Sequence, residues 1–423
     1  MRCRCARDDA RYAQPEPAMN TLASAPRRSF IQLAGGLSAA SAAGPWLSAM
    51  GATASRGDAA AFAYVGTYTH DAPGGTAGGP PSAGIQVFAV REAGWRLIQV
   101  MESDNPSYLA MHPTRRFLYA INEIELWQGL PRGTAEAYAI DPDDGRLRLL
   151  NRQPLSLSST APAHLAVSPD GKHLVTAQYL GGTYNVLPIH RDGSLGAVSG
   201  IVKETGSGPR PEQQSAHPHM VLFDPTGLRV LATDLGSDRI NLFTFEDGDL
   251  SLAGRTELPP GSGPRHLALH PDGALLYVVN ELDASVSCHG YDVIAGRVLE
   301  PRHTVPATPS GFTGTGNAAA LLIHPSGRFL YVSTRRVQND HPQADSIAVF
   351  DIGADGALTP LQFWTEGLRF PRALALAPDG GALYALNQKG DSILRLGIDA
   401  KTGRLGSPQV VAQAPTPVCL VFA

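Results

Sequence analysis

From Pro106 onward one block returns six times along the chain: a short apolar run, a dipeptide ending in proline, a turn closed by glycine or its stand-in, and a second apolar run. The copies are His112-Pro113-Thr114-Arg115, Ser168-Pro169-Asp170-Gly171, Asp224-Pro225-Thr226-Gly227, His270-Pro271-Asp272-Gly273, His324-Pro325-Ser326-Gly327 and Ala377-Pro378-Asp379-Gly380. Each turn lies between β-rich runs, as 267–270 and 275–279 do, which is the pattern of a hairpin. Two further strand-like runs follow, for example 285–291 and 298–305. Four strands recurring about every fifty residues predict one propeller blade per repeat.

The two ends of the repeat region supply a seventh blade. Residues 62–68, 84–90 and 95–101 read as three strands before the first full repeat, and 418–422 reads as one strand after the last. The predicted fold is therefore an all-β, seven-bladed β-propeller of four-stranded blades, closed by strands from both termini so that no ladder edge stays free. A six-bladed ring with loose ends is the alternative. The abundance of turn residues, 45 Gly and 34 Pro in 423 residues, agrees with many short elements.

Upstream of the blades, Pro26-Arg27-Arg28-Ser29-Phe30 places two arginines before an apolar, small-residue stretch at 33–50, and Ala52-Thr53-Ala54 offers a cleavage site. Residues 1–54 are expected to be a twin-arginine export signal handled by the corresponding machinery, with Met19 the better start. Residues 55–423 form the propeller, working in the periplasm or secreted. Gly35, Gly36, Gly44 and Pro45 interrupt the apolar stretch, so no stable membrane insertion of the mature chain is expected. A formal charge of -4 and no basic run exclude nucleic acid as a partner. After cleavage only Cys288 and Cys419 remain, too few for a disulfide framework.

Repeat arithmetic locates a site. Six residues before each turn proline stand Ser107, Ala163, His219, Arg265, Ala319 and Arg372. Ten residues after it stand Glu123, Tyr179, Leu235, Glu281, Arg335 and Gln388. In an antiparallel hairpin these two columns share the end opposite the turn, so they face one mouth of the central channel. Tyr108, His164 and His266, one step along the first column, and Asn122, Asp234, Asn280 and Asn387, one step back in the second, are expected to thicken the same ring. Strand ends are polar wherever they meet solvent, but that does not require arginines, histidines and a glutamate on inner strands. Arginine forks suit a carboxylate or a developing oxyanion, and a glutamate or histidine can take a proton from water. His217-Pro218-His219 has no third ligand at metal-site spacing, so no metal or other cofactor is expected.

The chain resembles the seven-bladed lactonase family, which includes the propeller-type 6-phosphogluconolactonases and the fungal carboxy-cis,cis-muconate cyclase. The resemblance rests on Tyr64-Val65-Gly66-Thr67-Tyr68-Thr69, His164-Leu165, His217-Pro218-His219 with Asp234 to Asp238, Gly263-Pro264-Arg265-His266 with Asn280-Glu281-Leu282, and Ser333-Thr334-Arg335 before Asp345-Ser346-Ile347. It implies a catalytic cluster of His217, Arg265, Glu281 and Arg335. His164, Tyr179, His219, His266, Arg372 and Gln388 are then the expected substrate-binding residues. Thr334, Gln178 and the Gly/Pro-rich insertion at 72–81 depart from the family pattern and bear on specificity. The expected activity is hydrolysis of a sugar-acid lactone, with arginines holding the oxyanion and Glu281 or His217 activating water. Lactone formation from an unsaturated diacid, and a non-catalytic binding propeller, are the alternatives.

Overall fold

The computed structural model describes residues 62–71, 84–91, 94–312, 316–336 and 345–423. The twin-arginine segment and the insertion at 72–81 lie outside the described residues. Each repeat forms one four-stranded antiparallel sheet, and there are seven. Blade 1 runs Pro106–Met111, Phe117–Asn122, Thr134–Ile140 and Leu147–Pro154 from the inside outward, and blades 2 to 6 open on Pro162–Val167, Pro218–Phe223, Pro264–Leu269, Asn317–Ile323 and Pro371–Leu376. Blade 7 is composite: Pro417–Phe422 is its innermost strand, and Phe62–Thr67, Ile85–Ala89 and Arg96–Met101 build outward from it. The innermost strands pack side by side around the ring, with Pro417–Phe422 between Pro371–Leu376 and Pro106–Met111. The expected closure by both termini is what forms.

Apolar clusters fill the space between neighbouring blades. Tyr277, Val279, Val286 and Cys288 of blade 4, for example, pack on Leu330, Val332, Ala348 and Phe350 of blade 5. Buried tyrosines on second strands reach across to the next blade, where Tyr64, Tyr119, Tyr277 and Tyr331 donate to the carbonyls of Gly145, Gly193, Gly356 and Gly403 at 2.9–3.0 Å. Cys288 and Cys419 are both free thiols.

One irregularity recurs and positions the site. Where each innermost strand pairs with its neighbour, the register slips after the first residue. Pro264 faces Asn280 and His266 faces Val279, leaving Arg265 as the extra residue of a β-bulge. The same slip isolates Ser107, Ala163, His219 and Arg372 in their blades, and Val418 in the composite one. In blade 5 the slip falls between Ala318 and Leu321. A bulge bends the strand and redirects the extra side chain, so the first column is turned as a set. Six of the seven innermost strands open on proline, which has no N–H to leave unpaired there.

Candidate active site

The second column stands immediately beyond the second strands, except Arg335, which ends its own strand, and three of its members, Glu123, Glu281 and Arg335, form ion pairs at the mouth. The centre of the cluster is Glu281. Its Oε2 lies 2.9 Å from Arg265 Nε and its Oε1 2.8 Å from Arg335 Nη2, although the three residues come from two blades. The side chains of Arg265 and Arg335 are 3% and 4% exposed, against 17% for Glu281, so the pairs are nearly dry. Arg265 Nη1 also donates to the Ala319 carbonyl at 2.6 Å and to His266 Nε2 at 3.0 Å. Gly263 prepares this bulge: its φ is +63°, and a Cβ there would stand 2.5 Å from the Leu282 side chain. Arg335 rests on the Phe370 ring at 5.4 Å; its Nε and Nη2, like Arg265 Nε, make no aligned hydrogen bond among the described residues, so the two Glu281 contacts are ion pairs.

Electrostatics separate the charged groups. Burial pushes the Glu281 carboxyl up, but Arg335, Arg265 and Arg372 outweigh it and hold it below the usual carboxylate range. Burial, with Arg335 beside it, pulls the Arg265 guanidinium down to about 9, still charged at neutral pH. Burial and Arg265 together lower His164 to about 3 and drive His219 and His266 well below 6.5. The channel beneath the arginines is therefore lined by neutral imidazoles.

Those imidazoles form a continuous set with two tyrosines. Tyr108 and His164 have ring centroids 3.9 Å apart, His164 and His266 5.7 Å, His266 and His219 5.3 Å, and His219 and Tyr179 5.8 Å. Tyr179 stacks on His217 at 4.4 Å. Every predicted site residue from His164 to Arg335 thus belongs to one connected group, with His217 joined to the arginines through Tyr179, His219 and His266. His217 Nδ1 lies 2.8 Å from the Tyr179 carbonyl, which only accepts, so the neutral form carries its hydrogen there, and Nε2 lies 3.5 Å from the Gln214 side-chain amide. Both ring nitrogens of His164, Nδ1 of His219 and both amide atoms of Gln388 are buried without hydrogen-bond partners among the described residues.

On the blade 1 side, Glu123 Oε2 accepts from Tyr68 Oη at 2.9 Å, and Arg372 Nη2 stands 3.9 Å from the same oxygen with its guanidinium over the Tyr68 ring. Sequence reasoning named Glu123 in the column without carrying it into the site, and it missed Tyr68. Thr67 pairs with Pro417 as Asn122 pairs with Pro106, so Tyr68 is the seventh member of the second column.

The expectation that Asn122, Asp234, Asn280 and Asn387 thicken the site is corrected. Asn122 donates to the Asp104 carbonyl, Asp234 accepts from the His217 and Gly236 amides, Asn280 donates to Ser285, and Asn387 accepts from the Arg369 amide and donates to the Gly367 carbonyl. These side chains fasten the loops at the strand ends, although Asn280 Oδ1 stays without a partner among the described residues. No three His, Cys, Asp or Glu side chains gather as a metal site requires among the described residues.

Residues 62–422 match the family described as "Lactonase, 7-bladed beta-propeller". The chain belongs to that family. It is 33% identical to a 6-phosphogluconolactonase of Bacillus subtilis over 364 residues, 85% of this chain and 97% of the relative. A 6-phosphogluconolactonase of Formosa agariphila is 29% identical over 81% of this chain and 94% of its own. Among solved structures, the periplasmic gluconolactonase of Pseudomonas aeruginosa superposes with a TM-score of 0.75 at 31% identity, covering 85% of this chain and 98% of that one.

Proposed function

We propose that this protein hydrolyses the ring ester of a sugar-acid lactone at the mouth of the channel. The observation that carries the reading is the pair of nearly dry guanidiniums fixed on one carboxylate, with Arg335 Nε uncommitted. Attack of water turns the lactone carbonyl into an oxyanion, and donors fixed in advance in a water-poor site stabilise that charge without reorganising. Arg265 and Arg335 take this role. Glu281 is held ionised by three arginines, which makes it a weak base and a good clamp, so its task is to aim both forks. His217, oriented through Nδ1 by the Tyr179 carbonyl, accepts the proton of the attacking water at Nε2, beside the Gln214 amide.

The substrate is an aldonolactone without phosphate. The unpartnered imidazole and amide atoms of the mouth, at His164, His219 and Gln388, suit sugar hydroxyls, which both donate and accept. Residues 1–54 act as a twin-arginine export signal, which would place the enzyme outside the cytoplasm, in keeping with the periplasmic gluconolactonase of Pseudomonas aeruginosa that it resembles. Acid release measured with free and phosphorylated aldonolactones, and muconate consumption alongside, tests the proposal. Faster turnover of the free lactone is expected. No lactone opening, or consumption of muconate alone, refutes it.

A further inference from the structure

Glu123 and Glu281 occupy the same place in the repeat, ten residues after the turn proline of blades 1 and 4, three blades apart around the ring. Their surroundings are opposite. Glu281 meets an arginine at each oxygen, at 2.9 and 2.8 Å. Glu123 meets one arginine nitrogen, at 3.9 Å, too far for a hydrogen bond, and its close partner is the neutral Tyr68 hydroxyl at 2.9 Å. Glu123 is 6% exposed and Tyr68 fully buried. The groups facing Glu123 are Tyr68 from blade 7, Arg372 from blade 6, Ser107 from its own blade and, farther off, Arg265 from blade 4. Burial outweighs all four and raises its carboxyl above the ordinary range.

Lactone hydrolysis needs a second proton transfer that the arginine pair cannot supply. When the tetrahedral oxyanion collapses, the C=O bond re-forms and the bond from carbon to ring oxygen breaks. Its electron pair leaves on an alkoxide, a poor leaving group unless protonated. We propose that Glu123 is the proton donor to the departing ring oxygen, held by Tyr68 and Arg372 across the channel from the Glu281 clamp. The inference rests on the lactone reading above. Glu123 gives its proton to the ring oxygen and becomes a carboxylate, the product leaves as a hydroxy acid, and the proton that His217 took from water returns to Glu123 through solvent. Two carboxylates whose environments drive them in opposite directions, one toward the ionised and one toward the protonated form, divide the roles of clamp and acid.

The test uses the full chain. Glu123→Gln is nearly isosteric, and its melting curve is compared with wild type first. Infrared difference spectra without substrate are expected to show a protonated carboxyl band in wild type near neutral pH that is lost in Glu123→Gln; absence of that band in wild type overturns the proposal. With an aldonolactone, Glu123→Gln is expected to lose on the order of a hundredfold in kcat, together with the alkaline limb of the pH profile, while Glu123→Asp keeps a limb. Tyr68→Phe removes a hydrogen bond that favours the carboxylate, so its limb should move to higher pH. A Glu123→Gln enzyme within twofold of wild type with its limb intact overturns the assignment alone. A wild type that opens no lactone overturns the hydrolase reading instead.

Discussion

Histidines stand at both ends of the blade hairpins and are treated in opposite ways. At the turn end, His112, His270 and His324 each place Nε2 2.8–3.2 Å from a carbonyl of the next blade's turn, at Gly171, Gly327 and Gly380. At the mouth, His164 leaves both nitrogens and His219 leaves Nδ1 without a partner, although both rings are buried. A satisfied buried polar group is part of the scaffold. An unsatisfied one costs on the order of 1–3 kcal/mol, and a site tolerates that cost where another molecule supplies the partner. For these histidines residue type says little, and what separates the two ends is whether the ring nitrogens find partners within the fold.

The largest effect that sharpens this contrast is at the mouth. Arg265→Ala should lower kcat for an aldonolactone by about a hundredfold or more, as loss of an oxyanion donor does, and steady-state kinetics checks it. Activity close to wild type would erase the functional half of the comparison.

Next in size is the pH dependence of stability. The mouth imidazoles have folded pKa values below the ordinary 6.5, about 3 for His164, so the unfolded chain binds more protons as pH falls. Stability that is full above about pH 6.5 should therefore decline toward acid by roughly 1.4 kcal/mol per pH unit for each such histidine. Urea unfolding between pH 7.5 and 5.5 measures the slope, and His164→Phe should remove one histidine's share. The same slope in the variant would show that His164 is not held neutral.

The smallest effect belongs to the turn end. His270→Ala should cost about 1 kcal/mol of unfolding free energy, the ordinary net worth of a hydrogen bond, with lactone turnover unchanged. A kinetic defect without a stability loss would reverse the two ends.

The blade count and the gathering of Arg265, Glu281 and Arg335 were legible because a hairpin of fixed length translates sequence offset into height in the channel. Tyr68 was not, because its blade is divided between the termini and has no Pro-x-Gly turn from which to count. Nor were the bulges: the spacing between Arg265 and the turn proline is the same whether the register slips or not, and only pairing with Asn280 and Val279 exposes the slip. Leu235 broke the polar column because Asp234 caps a short 3₁₀ turn, Leu235–Ser237, at that strand end. The Asn residues before the second column misled for a related reason. Asn and Asp bond readily to nearby backbone, and at these strand ends they commit their amides and carboxylates to loops.

Whether the arginine pair receives the acid end of a sugar lactone is read from a crystal structure of the protein soaked with an aldonate, the hydrolysis product. The carboxylate is expected between Arg265 and Arg335, with hydroxyls reaching Gln388 and His164. An aldonate seated at the turn end or on the outer strands, with the mouth arginines untouched, would contradict that expectation.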